Sequence, residues 1–350
     1  MIAEKARLDY VDVLKCLGIF AVYLGHFAAD VGSAYLFVFS YHVPLFFFMS
    51  GCMVFLSKNI SLKGFIVKKV RTILIPFFIF GIASIVLTCI ISGADAWFAV
   101  DSIKSLMKGA VRNQFLAGGL WFLSCLFVMQ IIFEIFRKIA KDSKIALLVL
   151  CGTIYVVLSF LIQEEMVAFP VMYWNIDSAL YYLIYYCMGY VFFPAINRVL
   201  QGVSELSAGK RALLVASGVY AALYSVALFF GKNFYAVFAS MPLVYEGGIF
   251  TCMTALTVIW FNILVAYLLR NIKALRSIGK NCLYLCGSEY IIKELVFYGL
   301  ALFGLSLSLE NPLSIYLYVM LLLFLASRFL APLEKRLFDF CTNRLPHIKK

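Results

Sequence analysis

The first apolar stretch of the chain, VDVLKCLGIFAVYLGHF, carries two ionisable side chains, Lys15 and His26, eleven residues apart. Eleven residues is close to three helical turns, so on a helix both project from one face, about 16 Å apart along the axis. Asp12 falls near the same face, where the stretch begins. A Lys at membrane depth costs on the order of 3 kcal/mol on insertion scales, and such groups are normally retained for function. The stripe must therefore turn from lipid towards a cavity or a pathway. Imidazole titrates near neutral pH and can take up and return a proton. Lys15 supplies a positive charge on the same face, and Asp12 is placed to orient it.

The elements that must position these groups follow from composition. The chain of 350 residues is 64% hydrophobic and only 14% charged, with a mean hydropathy of +0.97. A water-soluble protein of this length does not have that balance. Apolar runs long enough to cross a bilayer recur throughout, with charge at their flanks. We read ten, at about 10–29, 35–56, 72–92, 115–136, 145–162, 178–197, 212–230, 249–269, 282–304 and 313–331. The expected fold is all-α: a polytopic membrane bundle of about ten transmembrane helices, forming a single integral-membrane domain over 1–350. The first run has acidic residues in its flank, an internal Lys and His, and no small-x-small site, so it is read as retained and not as a cleaved signal peptide. No lipidation motif stands at either end.

Basic residues orient the bundle. With the N-terminus inside, 24 of the 30 Lys and Arg fall in inner segments and 4 in outer ones, leaving Lys15 and Lys293 within spans. Cytoplasmic loops carry the excess of Lys and Arg, so both termini are expected to be cytoplasmic. The same asymmetry explains the net charge of +12. Such a face suits anionic lipid or a polyanionic cytosolic ligand such as a nucleotide. Nucleic-acid binding is not expected, because there is no soluble region to carry a basic, aromatic-interleaved surface. The ten Cys are scattered singly, without zinc-like spacing, and read as small packing residues. Three His are too few for a metal site. Glu134 and Glu246 also fall within or near the membrane.

Further along, YHVPLFFFMSGCMVF places His42 and Pro44 near the outer half of the second run and Ser50-Gly51 near its middle. Ser-Gly permits close helix approach, so plain packing would also account for it. Taken together, RLDYVDVLKCLGIFAVYLGHF, YHVPLFFFMSG and VKKVRTILIPFFIF resemble the membrane acyltransferase-3 family, bacterial multi-span proteins that O-acetylate sugars of surface polysaccharides, exported glycans and glycolipids. GGLWFLSCLFV, WNIDSALYYLIYYCMGYVF and SIGKNCLYLCGSEYII agree in the expected order, so the resemblance runs from about residue 7 to 330. Among subgroups the chain is most similar to stand-alone, fucose 4-O-acetylase-like members.

The resemblance implies an O-acyltransferase of the bacterial inner membrane, with acetyl-CoA (or another acyl-CoA) as donor substrate, no bound cofactor, and a carbohydrate acceptor. It makes His26 the catalytic base or an acyl relay, with both routes open, and puts Lys15 and Asp12 beside it. Where the family usually has Arg, this chain has Lys15, which keeps the charge but loses the bidentate fork. Where many members have a late His, this chain has Glu289, and Cys282 replaces the usual Ser. Arg71, with Lys68 and Lys69 before it, is expected to hold the donor's phosphates. His42, Ser50, Trp121, Asp177 and Glu289 are the expected acceptor contacts. Glu289 and Lys293, four apart on one helix face, are expected to pair or to line the cavity. The competing reading is a transporter or flippase for a glycan precursor. It lacks the internal symmetry and paired broken helices that such folds show.

Overall fold

A computed structural model describes residues 8–55, 61–230, 248–305, 309 and 311–343. Lys5, Arg7, Lys58, Lys232 and Glu246, and the tail beyond 343, lie outside the described residues. In chain order the helices are α1 (Asp9–Gly25), α2 (Ala34–Phe39), α3 (His42–Phe55), α4 (Leu62–Lys69), α5 (Ile75–Ser92), α6 (Ala96–Met107), α7 (Trp121–Ile139), α8 (Lys144–Gln163), α9 (Ile176–Gln201), α10 (Ala208–Phe230), α11 (Ile249–Leu268), α12 (Lys273–Lys280), α13 (Cys282–Gly287), α14 (Glu289–Leu302), α15 (Pro312–Leu325) and α16 (Ala331–Asn343). No strand occurs among the described residues.

Among the described residues, seven helical stretches are long and apolar enough to cross a membrane: Ala34–Val54, Leu62–Ser92, Lys144–Gln163, Tyr173–Gln201, Ala208–Phe230, Ile249–Leu268 and Pro312–Phe338. The other three expected runs differ for identifiable reasons. α1 is continuous but only 17 residues long, and it carries Asp9, Asp12 and Lys15 in its first half. The run expected from 115 becomes helical only at Trp121, after a series of turns, and its end carries Glu134, Arg137 and Lys138. The run expected at 282–304 divides at Ser288 into α13 and α14. α8 and α10 are the least covered, 22% and 17% buried over their most apolar windows, although composed almost wholly of apolar residues. A helix that keeps such residues uncovered is suited to lipid.

Proline sets the internal breaks. Pro44 has no N–H to bond the carbonyl of Ser40, and the helix breaks at Ser40–Tyr41 between α2 and α3. Pro76 and Pro332 each follow one turn of π-helix, Val70–Leu74 and Ala326–Leu330. Widening the turn accommodates the missing donor and the ring without ending the helix.

The chain packs as two compact units. The first comprises the described parts of 1–56, 188–282 and 310–324. Its centre is α1, whose Val13, Ile19 and Tyr23 are buried, and which packs chiefly against α11 and α12. Gly279 makes the α1–α12 contact possible, since a Cβ there would lie 1.7 Å from the Asp12 carbonyl oxygen. Arg276 pairs with Asp9 at 2.5 Å, and Tyr10 donates to the Asn197 side chain at 3.1 Å. The second unit comprises the described parts of 57–187, 283–309 and 325–350. There α5 packs on α6 and α14, Phe80 lies against Gly287 and the Phe338 ring, and Thr88 hydrogen-bonds Tyr290 at 3.0 Å.

Candidate functional site

His26 terminates α1. Its backbone stays in the right-handed region (φ −78°, ψ −5°), with the N–H shared between the carbonyls of Val22 and Tyr23, both at 3.3 Å. The helical phase therefore runs through to His26, and its side chain is exposed. Lys15 is half-buried, and its Nζ lies 3.9 Å from the carboxylate of buried Asp12. The expected Asp12–Lys15 partnership is present, with His26 about three turns beyond on the Lys15 face. α12 holds the other end of this helix through Gly279 and the Arg276–Asp9 pair, so the stripe stands on a clamped support.

His42 belongs to the same end of this unit as His26. The Phe39 ring fits against Gly25, the residue before His26, and packs edge-on against His42 with centroids 4.9 Å apart. His42 is buried, and its Nδ1 lies 2.6 Å from the Val38 carbonyl. A carbonyl only accepts, so Nδ1 carries the proton and donates it to Val38, which fixes the ring. Ser50 is half-buried on α3. It is eight residues from His42, about 80° around the helix, and so on a different face.

The remaining expected residues lie in the second unit. Arg71 sits in the π-helical turn before Pro76, half-buried, the kind of local widening that recurs at functional sites. Lys68 is exposed, whereas the Lys69 ammonium lies 5.1 Å from the centre of the Phe65 ring one turn earlier. Glu289 is buried at the start of α14, with half-buried Lys293 one turn on. Asp177 is buried and its carboxylate accepts three backbone N–H groups, from Val171 at 2.7 Å, Met172 at 3.0 Å and Ser178 at 2.7 Å. That arrangement ties the segment before α9 to its first turn.

Trp121 leads to a cluster that sequence reasoning missed. The Arg112 guanidinium lies 4.8 Å from the centre of the Trp121 ring, and its Nη1 donates to the Tyr182 hydroxyl at 3.5 Å. The Arg112 backbone N–H donates to Asn175 Oδ1 at 2.9 Å. Fully buried Asn175 also donates through Nδ2 to the Gly109 carbonyl at 3.1 Å and to Ser124 Oγ at 2.9 Å. One amide thus joins the loop after α6, the start of α7 and the entry to α9. The loop backbone is unusual: Gly109 has φ +93°, and Trp174 and Asn175 take φ of 58° and 54°. A Cβ on Gly109 would lie 2.6 Å from Trp174 Cα, so only glycine fits. Arg112 stands out in the sequence as a cation in a segment expected to be outer, but nothing there announces its distant partners.

Comparison with known proteins bears on the chemistry. The acyltransferase-3 family model, described as an acyltransferase domain, matches residues 8–332. No curated protein and no solved structure matches the chain.

Proposed function

The chain belongs to the membrane acyltransferase-3 family and is a multi-pass membrane acyltransferase; from that premise we propose that it moves an acetyl group from acetyl-CoA to a sugar hydroxyl of a surface polysaccharide, exported glycan or glycolipid, at a bacterial inner membrane. The observation that carries the reading is His26. It is an exposed imidazole ending a clamped helix, in phase with the Asp12–Lys15 pair.

In this reaction the sugar oxygen attacks the thioester carbonyl carbon while His26 takes the hydroxyl proton. The carbon–sulfur bond then breaks, the ester forms, and the CoA thiolate leaves and recovers a proton from the imidazolium. In the relay form, an imidazole nitrogen attacks the thioester carbon, the carbon–sulfur bond breaks and CoA leaves as the thiol with the ring proton; the acetyl-imidazole then gives its acetyl group to the sugar oxygen and takes back the hydroxyl proton. The positive charge of Lys15 offsets negative charge on the donor. Arg71, with Lys68 beside it, holds the donor's phosphates through charge-assisted hydrogen bonds. His42, oriented by Val38, and Ser50 contribute on the acceptor side, as do Trp121, Asp177 and Glu289, with Asp177 acting through the loop it fixes.

Radiolabelled acetyl-CoA supplied to the purified protein in detergent tests this directly. Label should pass slowly to water, and to glycan when acceptor is present. Intact acetyl-CoA after prolonged incubation, with glycan from a deletion strain still fully acetylated, would refute the reading.

A further inference from the structure

We propose that Arg112, held by Trp121 and Tyr182, forms a binding site for a sugar that carries a negative charge, a carboxylate or a phosphate. The site deepens the acyl-transfer reading and rests on it for the statement that the sugar is the acceptor.

Charge distribution gives the first argument. In the orientation set by basic residues, only 4 of the 30 Lys and Arg fall outside, and Lys104, Lys108 and Arg112 are three of them, in a single segment. Topology disfavours cations there, so this grouping needs another cause. Lys104 is paired with Asp101 at 2.9 Å. Lys108 lies 5.3 Å from the centre of the Tyr173 ring, and Arg112 rests on Trp121. Among the described residues no carboxylate lies within ion-pairing distance of Arg112. The neighbouring acid, Asp177, is committed to three backbone N–H groups.

Geometry gives the second. A guanidinium has five N–H donors in a planar fork. Here the Tyr182 hydroxyl takes one and the Trp121 ring lies 4.8 Å from the guanidinium carbon, so the group is held at two points while its remaining donors match a planar carboxylate or a phosphate. The support is rigid: buried Asn175 fixes the Arg112 backbone, the Trp174 N–H donates to the Lys108 carbonyl at 2.8 Å, and two consecutive non-glycine residues are held in the left-handed region. Backbone strain of this kind persists where the surroundings over-determine it and clusters at binding sites.

The test is saturation-transfer NMR on the full chain in lipid nanodiscs, with glucuronate, glucose 6-phosphate, glucose and inorganic phosphate as probes. Both charged sugars should half-saturate the wild type at lower concentration than glucose or inorganic phosphate. A preference for glucuronate assigns a carboxylate, and the reverse a phosphate. Arg112→Gln should raise the half-saturation concentration of the charged sugars at least about tenfold, to the level of glucose, as expected when charge-assisted hydrogen bonds are lost. Arg112→Lys keeps the charge and the backbone bond to Asn175, so it should fall between the two, and it decides the matter if the Gln variant does not fold. Equal binding of charged and neutral sugars, equal binding of bare phosphate, or variants that bind like wild type would overturn the site. Wild-type acetyl-CoA turnover is measured in the same samples: its absence beside intact sugar binding would refute the transferase reading and leave the site standing.

Discussion

His26 ends α1 with its side chain exposed, so its removal should test chemistry and leave stability nearly untouched. We expect His26→Ala to insert normally, with a thermal midpoint close to wild type, and to lose acyl transfer by about 10²–10⁴-fold, the range for a missing general base. A well-expressed variant that acetylates at the wild-type rate would remove His26 from the mechanism. Lys15 poses a finer question, because its 3.9 Å contact with Asp12 is loose and leaves it half-buried. Only bidentate phosphate binding needs a guanidinium, so Lys15→Arg should keep substantial activity and Lys15→Met should lose most of it. A raised KM for acetyl-CoA in Lys15→Met would put the charge on the donor, and a lowered kcat at unchanged KM would put it at the chemical step. Wild-type values of both would leave Lys15 as a partner of Asp12 alone. The spacing of Asp12, Lys15 and His26 was legible in the sequence because it is local. The commitments of other polar groups were not. Asp9 is matched by Arg276 from 267 residues away, and Asp177 by backbone donors that carry no side-chain signature.

At the scale of elements, the support of α1 turns on Gly279. A methyl group there would meet the Asp12 carbonyl oxygen at 1.7 Å, backbone against backbone, with no flexible side chain to yield. Gly279→Ala should therefore force α12 off α1, destabilise by at least about 1–3 kcal/mol as overpacking does, and reduce activity through Asp12 and Lys15. Gly118→Ala, where nothing lies within 4 Å, should be nearly neutral in the same thermal unfolding assay in detergent. Similar midpoints for the two variants would contradict the clamp. The length of the apolar runs and the charge at their flanks made most helices readable, and α8 and α11 match the expected runs closely. Breaks within helices were harder to read. The π-turns before Pro76 and Pro332 continue a helix through a residue that usually ends one, and the turns at 115–120 lie inside the apolar run expected at 115–136. The partners of Arg112 were hidden for a different reason: the loop carrying it is ordered by Asn175, 63 residues later.

For the whole molecule, the decisive property is orientation, because donor and acceptor reach a membrane acyltransferase from opposite sides in the proposed reaction. In the orientation we propose from the 24 inner and 4 outer cations, the loop after α6 is outside and the turn between α9 and α10 inside. Gln114 and Glu205 are exposed residues of those two segments. The nine described cysteines are buried or half-buried, so native background should be low. A membrane-impermeant maleimide applied to intact cells should label Gln114→Cys at once and Glu205→Cys only after permeabilisation. That result would place Arg112 where an exported glycan arrives and leave the Arg71 turn to a cytosolic thioester. The reverse labelling would invert both assignments. Arg112 would then face the nucleotide side, its charge would need no explanation beyond the positive-inside rule, and the case for an anionic acceptor there would rest on geometry alone.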